Sequence, residues 1–176
     1  PWEYYASGTA LGQIGRSQAQ IGLFPSALSL AGSVAAITGF TVAEALNRGD
    51  KEAERIFDGF CRQVAVGLAN LVMIFDPERI ILGGGLTDIG EPLRAGTKYW
   101  LDELTLGAGY RPEVEIVMAQ LGDDAGALGA SEPGALDEGS IAIFSVDGGN
   151  NDNRFLASAS ARTSDEYLDV VSGGDD

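Results

Sequence analysis

The stretch Arg79-Ile80-Ile81-Leu82-Gly83-Gly84-Gly85-Leu86 constrains this chain more than any other: an apolar run that ends on three consecutive glycines and follows a long amphipathic segment closed by Asp76-Pro77. An aliphatic run of this length bounded by glycine reads as a buried strand. The glycines let the main chain turn with positive φ and let a flat or charged ligand approach main-chain N–H groups closely. Standing alone, the triple glycine fits a tight turn of an α/β sheet as well as it fits a nucleotide contact.

The segment before it predicts a long helix from Asp50, because Ala53, Ile56, Phe57, Phe60, Cys61, Val64, Leu68, Leu71, Val72 and Phe75 recur at three- and four-residue steps. The helix is one-sided at first and nearly all apolar from Val64 to Phe75, which predicts burial on most faces there. Gly67 and Ala69 would admit a neighbouring backbone closely, and Pro77 stops the helix. Upstream, residues 2–15 read as one helix, and residues 41–48 as a short helix with Thr41 as N-cap and Gly49 at its C-terminal end. Downstream come a strand at Ile80 to Leu82, a helix from about Asp88 to Leu106, a strand at Val114 to Met118 and a helix beginning after Gly122. The fold class is therefore α/β. Strand, helix and parallel strand in that order make a right-handed crossover unit, and ligands of such sheets lie at the C-terminal ends of the strands, where Gly83 to Gly85 fall.

A chain of 176 residues with 45% hydrophobic residues has enough apolar material for one domain with a real core. No uninterrupted apolar run approaches the roughly 20 residues of a spanning helix. The N-terminus lacks the basic-then-apolar pattern of a signal peptide, so a cytoplasmic location is expected and no membrane partner. The net charge of −15 argues against nucleic acid or an anionic membrane, since both require clustered Lys and Arg. A single cysteine, Cys61, permits no internal disulfide, and its apolar helical position marks a buried structural thiol.

The charge is uneven. Residues 131–176 carry ten acidic and two basic residues, about half of the net charge in a quarter of the chain. Their Ser, Gly, Asp and Asn content buries too little apolar surface to offset the ordering entropy, so this acidic tail is read as mostly disordered. Within it, Ser140 to Val146 has the composition of a strand, and Glu166 to Val171 that of a short helical or strand element. The Asp-Gly run from Asp147 lacks the ligand spacing of an EF-hand loop and reads as solvated chain.

Six blocks occur in a fixed order: Trp2-Glu3-Tyr4-Tyr5-Ala6-Ser7-Gly8-Thr9-Ala10-Leu11, Val66 to Leu71, Asp76-Pro77-Glu78, Gly83 to Gly85, Gly109-Tyr110-Arg111-Pro112-Glu113 and Ala119 to Ala130. The series resembles the C-terminal half of bacterial glucokinases of the repressor/ORF/kinase (ROK) family, the actinobacterial type in particular, over residues 2–130. The resemblance implies a sugar kinase/actin-like (ribonuclease H-like) ATPase lobe over 1–130, the nucleotide-side lobe, followed by the tail at 131–176. It implies transfer of the γ-phosphoryl group of ATP, with Mg²⁺, to the 6-hydroxyl of glucose or a related hexose by a cytoplasmic homo-oligomer. Gly83, Gly84 and Gly85 would then line the nucleotide pocket through main-chain groups, and Glu3 would accept hydrogen bonds from sugar hydroxyls. A carboxylate suits that task, with two acceptor oxygens for vicinal hydroxyls. Read without the resemblance, Glu3 is an N-terminal acid complementing a helix dipole, as are Asp123 and Asp124. Trp2, Tyr4 and Tyr5 read as packing residues, and Asn70 as a buried amide on the long helix.

The same resemblance sets expectations for what is missing. Members place a glycine-rich phosphate hairpin, the catalytic Asp and a zinc site of one His and three Cys ahead of the Trp-Glu block. This sequence has no His, its one Cys is Cys61, and Pro1 stands where the last zinc-ligand Cys would be. Neither the structural zinc nor a catalytic residue is expected within the chain, which is read as a lobe truncated at its N-terminus and inactive alone. Ser131-Glu132-Pro133-Gly134 breaks the last helix where members continue it. Two alternatives stand beside the kinase: a fragment of a sugar-responsive ROK repressor, for which no basic recognition helix is present, and a non-catalytic oligomerisation remnant.

Overall fold

The computed structural model describes residues 2–119 together with two later strands, at 140–146 and 154–159. The chain forms two compact units that divide within one long helix, Pro1–Gly67 and Leu68–Asp176.

The first unit is helical. Residues 2–15 do not form a single helix: α1 (Glu3–Ala6) is one turn, and α2 (Gly8–Gln20) starts afresh. Ser7 separates them, because its backbone is extended and its hydroxyl accepts the Ala10 amide at 3.2 Å as the N-cap of α2. After α3 (Pro25–Ala31) and a 3₁₀ turn at Val34–Ala36 comes α4 (Gly39–Asn47). Its N-cap is Thr38 rather than Thr41. The two threonines form a capping box, Thr41 standing at the third helical position and accepting the Thr38 amide at 3.1 Å. Gly49 takes a φ of 76°, as a residue ending a helix does. The core of this unit is built on Leu11, Phe24, Ile37, Val42 and Phe60, all fully buried.

Helix α5 (Lys51–Phe75) begins after Asp50, whose carboxylate accepts the amides of Glu52 and Ala53, each at 2.9 Å. Of the described helices it alone has the length and hydropathy to cross a membrane, but half of its most apolar stretch is buried in the fold, as befits a core helix. Its last turn departs from the expected all-round burial. Val64, Ala65, Leu68 and Val72 point inward, while Met73, Ile74 and Phe75 are exposed, Ile74 at 70%. Apolar content alone does not choose the buried face; the 3.6-residue period still turns alternate residues outward. Asn70 likewise lies in solvent rather than inside.

The second unit holds the sheet. Strand β1 (Arg79–Gly84) is followed by a 3₁₀ turn at Gly85–Ile89, then α6 (Glu91–Leu104) and β2 (Glu115–Met118). β1 and β2 are parallel, from Arg79 opposite Glu115 to Leu82 opposite Met118, so the strand, helix and parallel strand read from the sequence are present. Two further strands lie in the acidic segment: β3 (Ser140–Val146), where the sequence allowed one, and β4 (Arg154–Ala159), where it gave no sign. The order is β2-β1-β3-β4, with β3 parallel to β1 and β4 antiparallel to β3. Ile80, Leu82, Leu93, Leu101 and Ile116 form the core of this unit. The helix expected after Gly122 and the element at 166–171 lie outside the described residues.

Candidate functional site

The Gly83 to Gly85 run is built into the end of β1 rather than into a loop beyond it. Gly83 and Gly84 still pair with β3, opposite Phe144 and Ser145. The chain turns at Gly84, with φ 102° and ψ 177°, a conformation closed to residues with a Cβ. Gly85 then opens the 3₁₀ turn, and the Thr87 hydroxyl donates back to the Gly84 carbonyl at 2.7 Å. Only the middle glycine thus has positive φ; the outer two leave main chain bare on either side of it. The run lies at the C-terminal end of a parallel strand with a strand on each side, the position at which open α/β sheets receive ligands.

Several ion pairs lie around this strand. Arg79 meets Glu115 across the β1–β2 ladder at 2.7 Å. Lys98 of α6 reaches both Asp102 at 2.6 Å and Glu113 at 2.8 Å, tying the helix to the approach of β2. Asp76, between α5 and β1, has a φ of 47°, uncommon for a non-glycine residue, and its carboxylate is held by the Arg111 guanidinium. A cleft of about 380 Å³ opens there, lined by Val72, Met73, Asp76, Leu106, Gly107 and Arg111. In the sequence Asp76 stands at the helix stop and, like Arg111, in one of the six ordered blocks; their charges, 35 positions apart, give no local signal of pairing.

Glu3 lies in the first unit, at the start of α1. The residue is half-buried, and its Oε1 is shut off from solvent with no hydrogen-bond partner. Burial pushes its carboxyl pKa above the usual glutamate value. An unpaired buried carboxylate oxygen costs free energy on the order of 1–3 kcal/mol unless a donor arrives. The dipole-complementing reading of Glu3 does not account for that oxygen. Tyr4 and Tyr5 contact each other edge to face and are largely exposed, whereas Trp2 is tied down by its indole Nε1, which donates to the Gln63 carbonyl at 2.8 Å.

Cys61 is buried, as its apolar helical position predicts. Among the described residues no group of three or more His, Cys, Asp or Glu side chains comes together as a metal would need.

A ROK family glucokinase from Streptomyces griseus, solved in complex with glucose and AMPPNP, superposes with a TM-score of 0.68 at 36% identity, over 73% of this chain and 42% of that one. A ROK hexokinase from Thermus thermophilus follows with a TM-score of 0.51 at 27% identity, over 73% of this chain and 39% of its own. The architecture is that of a lobe of the actin-like ATPase sugar kinases. Residues 1–132 match the ROK family model, and the chain belongs to the ROK family. The glucokinase of Streptomyces coelicolor is 35% identical over 138 residues, and the chain spans 42% of that relative's length.

Proposed function

We propose that this chain is the nucleotide-side lobe of a glucokinase, one that transfers the γ-phosphoryl group of ATP to the 6-hydroxyl of glucose when the remainder of the enzyme is present. The observation that carries the reading is the buried, partnerless Oε1 of Glu3, at the position where the family resemblance expects a carboxylate that receives sugar hydroxyls. A hexose supplies the missing donor, and a charge-assisted hydrogen bond replaces an orphaned one. The Gly84 turn supports the other half: bare main chain at the end of a parallel strand admits a nucleotide without a side chain in its way. Magnesium would accompany the nucleotide and bridge its phosphates. In this reading the chain binds but does not turn over, because the base for the sugar hydroxyl and the phosphate hairpin are supplied by sequence outside these residues. The same reading places the protein in the cytoplasm and pairs it with further copies, consistent with the exposed Met73, Ile74 and Phe75.

Calorimetry tests it. Glucose is expected to release heat on binding the full chain, and Glu3→Gln, which keeps the shape and removes the charge, is expected to weaken binding roughly 10-fold or more, given about 1.5–3 kcal/mol for a hydrogen bond to a charged group. Equal affinity in wild type and Glu3→Gln would remove Glu3 from the site. Turnover of glucose at ordinary enzyme rates by this chain alone would refute the division of labour.

A further inference from the structure

Helix α1 is a single turn of four residues, too short to hold itself, since nucleating a helix costs more than its first hydrogen bonds return. Of its residues only Ala6 is buried; Tyr4 and Tyr5 are 61% and 55% exposed. What holds the turn is the residue before it. The Trp2 carbonyl accepts the amides of Tyr5 and Ala6 at 2.9 and 3.1 Å, and the Trp2 indole donates to the Gln63 carbonyl on α5 at 2.8 Å. The ring occupies the space of the side chain that Gly67 lacks: a Cβ there would stand 1.9, 2.3 and 2.4 Å from three indole carbons. Gln63 and Gly67 are one helical turn apart, so the missing side chain also leaves the Gln63 carbonyl uncovered for the indole N–H. The sequence suggested that Gly67 would admit a neighbouring backbone; it admits an aromatic ring.

We propose that Trp2, seated in the gap at Gly67, is the positioning residue for Glu3, fixing the carboxylate where it can receive the vicinal hydroxyls of a hexose-class ligand. This deepens the reading of Glu3 as the sugar contact and rests on it for the ligand. Trp2 is fixed through its ring to a 25-residue helix and through its carbonyl to the turn that carries Glu3. Displacing the ring therefore moves the carboxylate with the turn, although neither Trp2 nor Gly67 need touch the sugar.

The test uses the full chain with Gly67→Ala. Alanine is the better helix former, so on its own it would firm α5, and losses report the displaced ring. Two readouts are followed: calorimetric affinity for glucose, and the pH titration of the Glu3 carboxyl by ¹³C NMR. Gly67→Ala is expected to weaken glucose at least 10-fold and to bring the Glu3 titration back toward that of an exposed glutamate, with heat from Mg·ATP unchanged. A Gly67→Ala chain that binds glucose as wild type does and titrates unchanged at Glu3 overturns the proposal. If wild type itself shows no heat with glucose, the sugar reading falls while the Glu3 titration still decides whether Trp2 sets its position. Should Gly67→Ala fail to fold, Trp2→Phe, which keeps a ring over Gly67 and deletes the indole donor, carries the same two readouts, and no change in either again overturns it.

Discussion

Two threonines, Thr97 in the middle of α6 and Thr105 at its C-cap, offer the same side chain in opposite circumstances. Thr97 is completely buried, and its Oγ1 has no hydrogen-bond partner. Thr105 is also buried, but its Oγ1 donates to the Leu101 carbonyl at 2.7 Å. Replacing Thr by Val exchanges a hydroxyl for a methyl of nearly equal size and keeps the β-branch, and the two residues have similar helix propensity. At position 97 the exchange removes a buried group whose unmet desolvation is worth about 1–3 kcal/mol, so Thr97→Val is expected to stabilise the chain by about 1 kcal/mol. At position 105 it removes a made bond of about 0.5–1.5 kcal/mol, while the Leu101 carbonyl keeps the Thr105 amide at 2.9 Å; Thr105→Val is expected to destabilise by about 1 kcal/mol. Thermal melts followed by circular dichroism would show shifts of roughly 2–4 °C, upward for the first and downward for the second. A Thr97→Val variant that melts lower by a similar margin would mean that the hydroxyl is satisfied, and would refute the reasoning.

Asp50→Ala is expected to cost about 1 kcal/mol by uncapping α5. Partial burial opposes the Asp50 charge, yet the amides of Ala53 and Glu52 help hold its carboxyl below the ordinary aspartate range. Its contribution is therefore complete above the unfolded-state pKa and is lost as pH falls through the lower folded value, so urea melts of Asp50→Ala should converge on wild type in acid. Glu3 works in the opposite sense: its raised folded value means stability falls as pH climbs past the unfolded-state pKa, and Glu3→Gln should flatten that part of the profile. Gly84→Val, forced into φ 102°, is expected to abolish heat from Mg·ATP; retained nucleotide affinity in a folded variant would move the nucleotide away from this turn.

What the sequence disclosed and what it hid separate along a physical line. Periodicity and stop signals act within a few residues, and they located α5, β1, α6 and β2 to within a few positions. Local chemistry with two equivalent solutions was less legible. Thr38 and Thr41 each suit an N-cap, and only the reciprocal bonds tell the cap from its partner. Ser7 looked like one more small residue of a long helix until its extended backbone showed where one helix ends and the next begins. The glycine run was legible as a turn, but not that Gly84 alone bends while Gly83 continues the ladder with β3, because that pairing partner lies some 60 residues further on, in a stretch whose composition reads as a strand but does not say what it pairs with. Trp2, Gln63 and Gly67 show the limit most plainly. Each is unremarkable in its own neighbourhood, a ring, an amide and a glycine; the gap in one helix acquires meaning only when a ring 65 positions away fills it. A glycine in the middle of a helix costs about 1 kcal/mol relative to alanine, and a cost of that kind in a buried helix is itself a sequence-level question about what comes close. Here the ring that answers it belongs to the residue next to Glu3, so the glycine's cost in α5 goes toward holding a carboxylate in place.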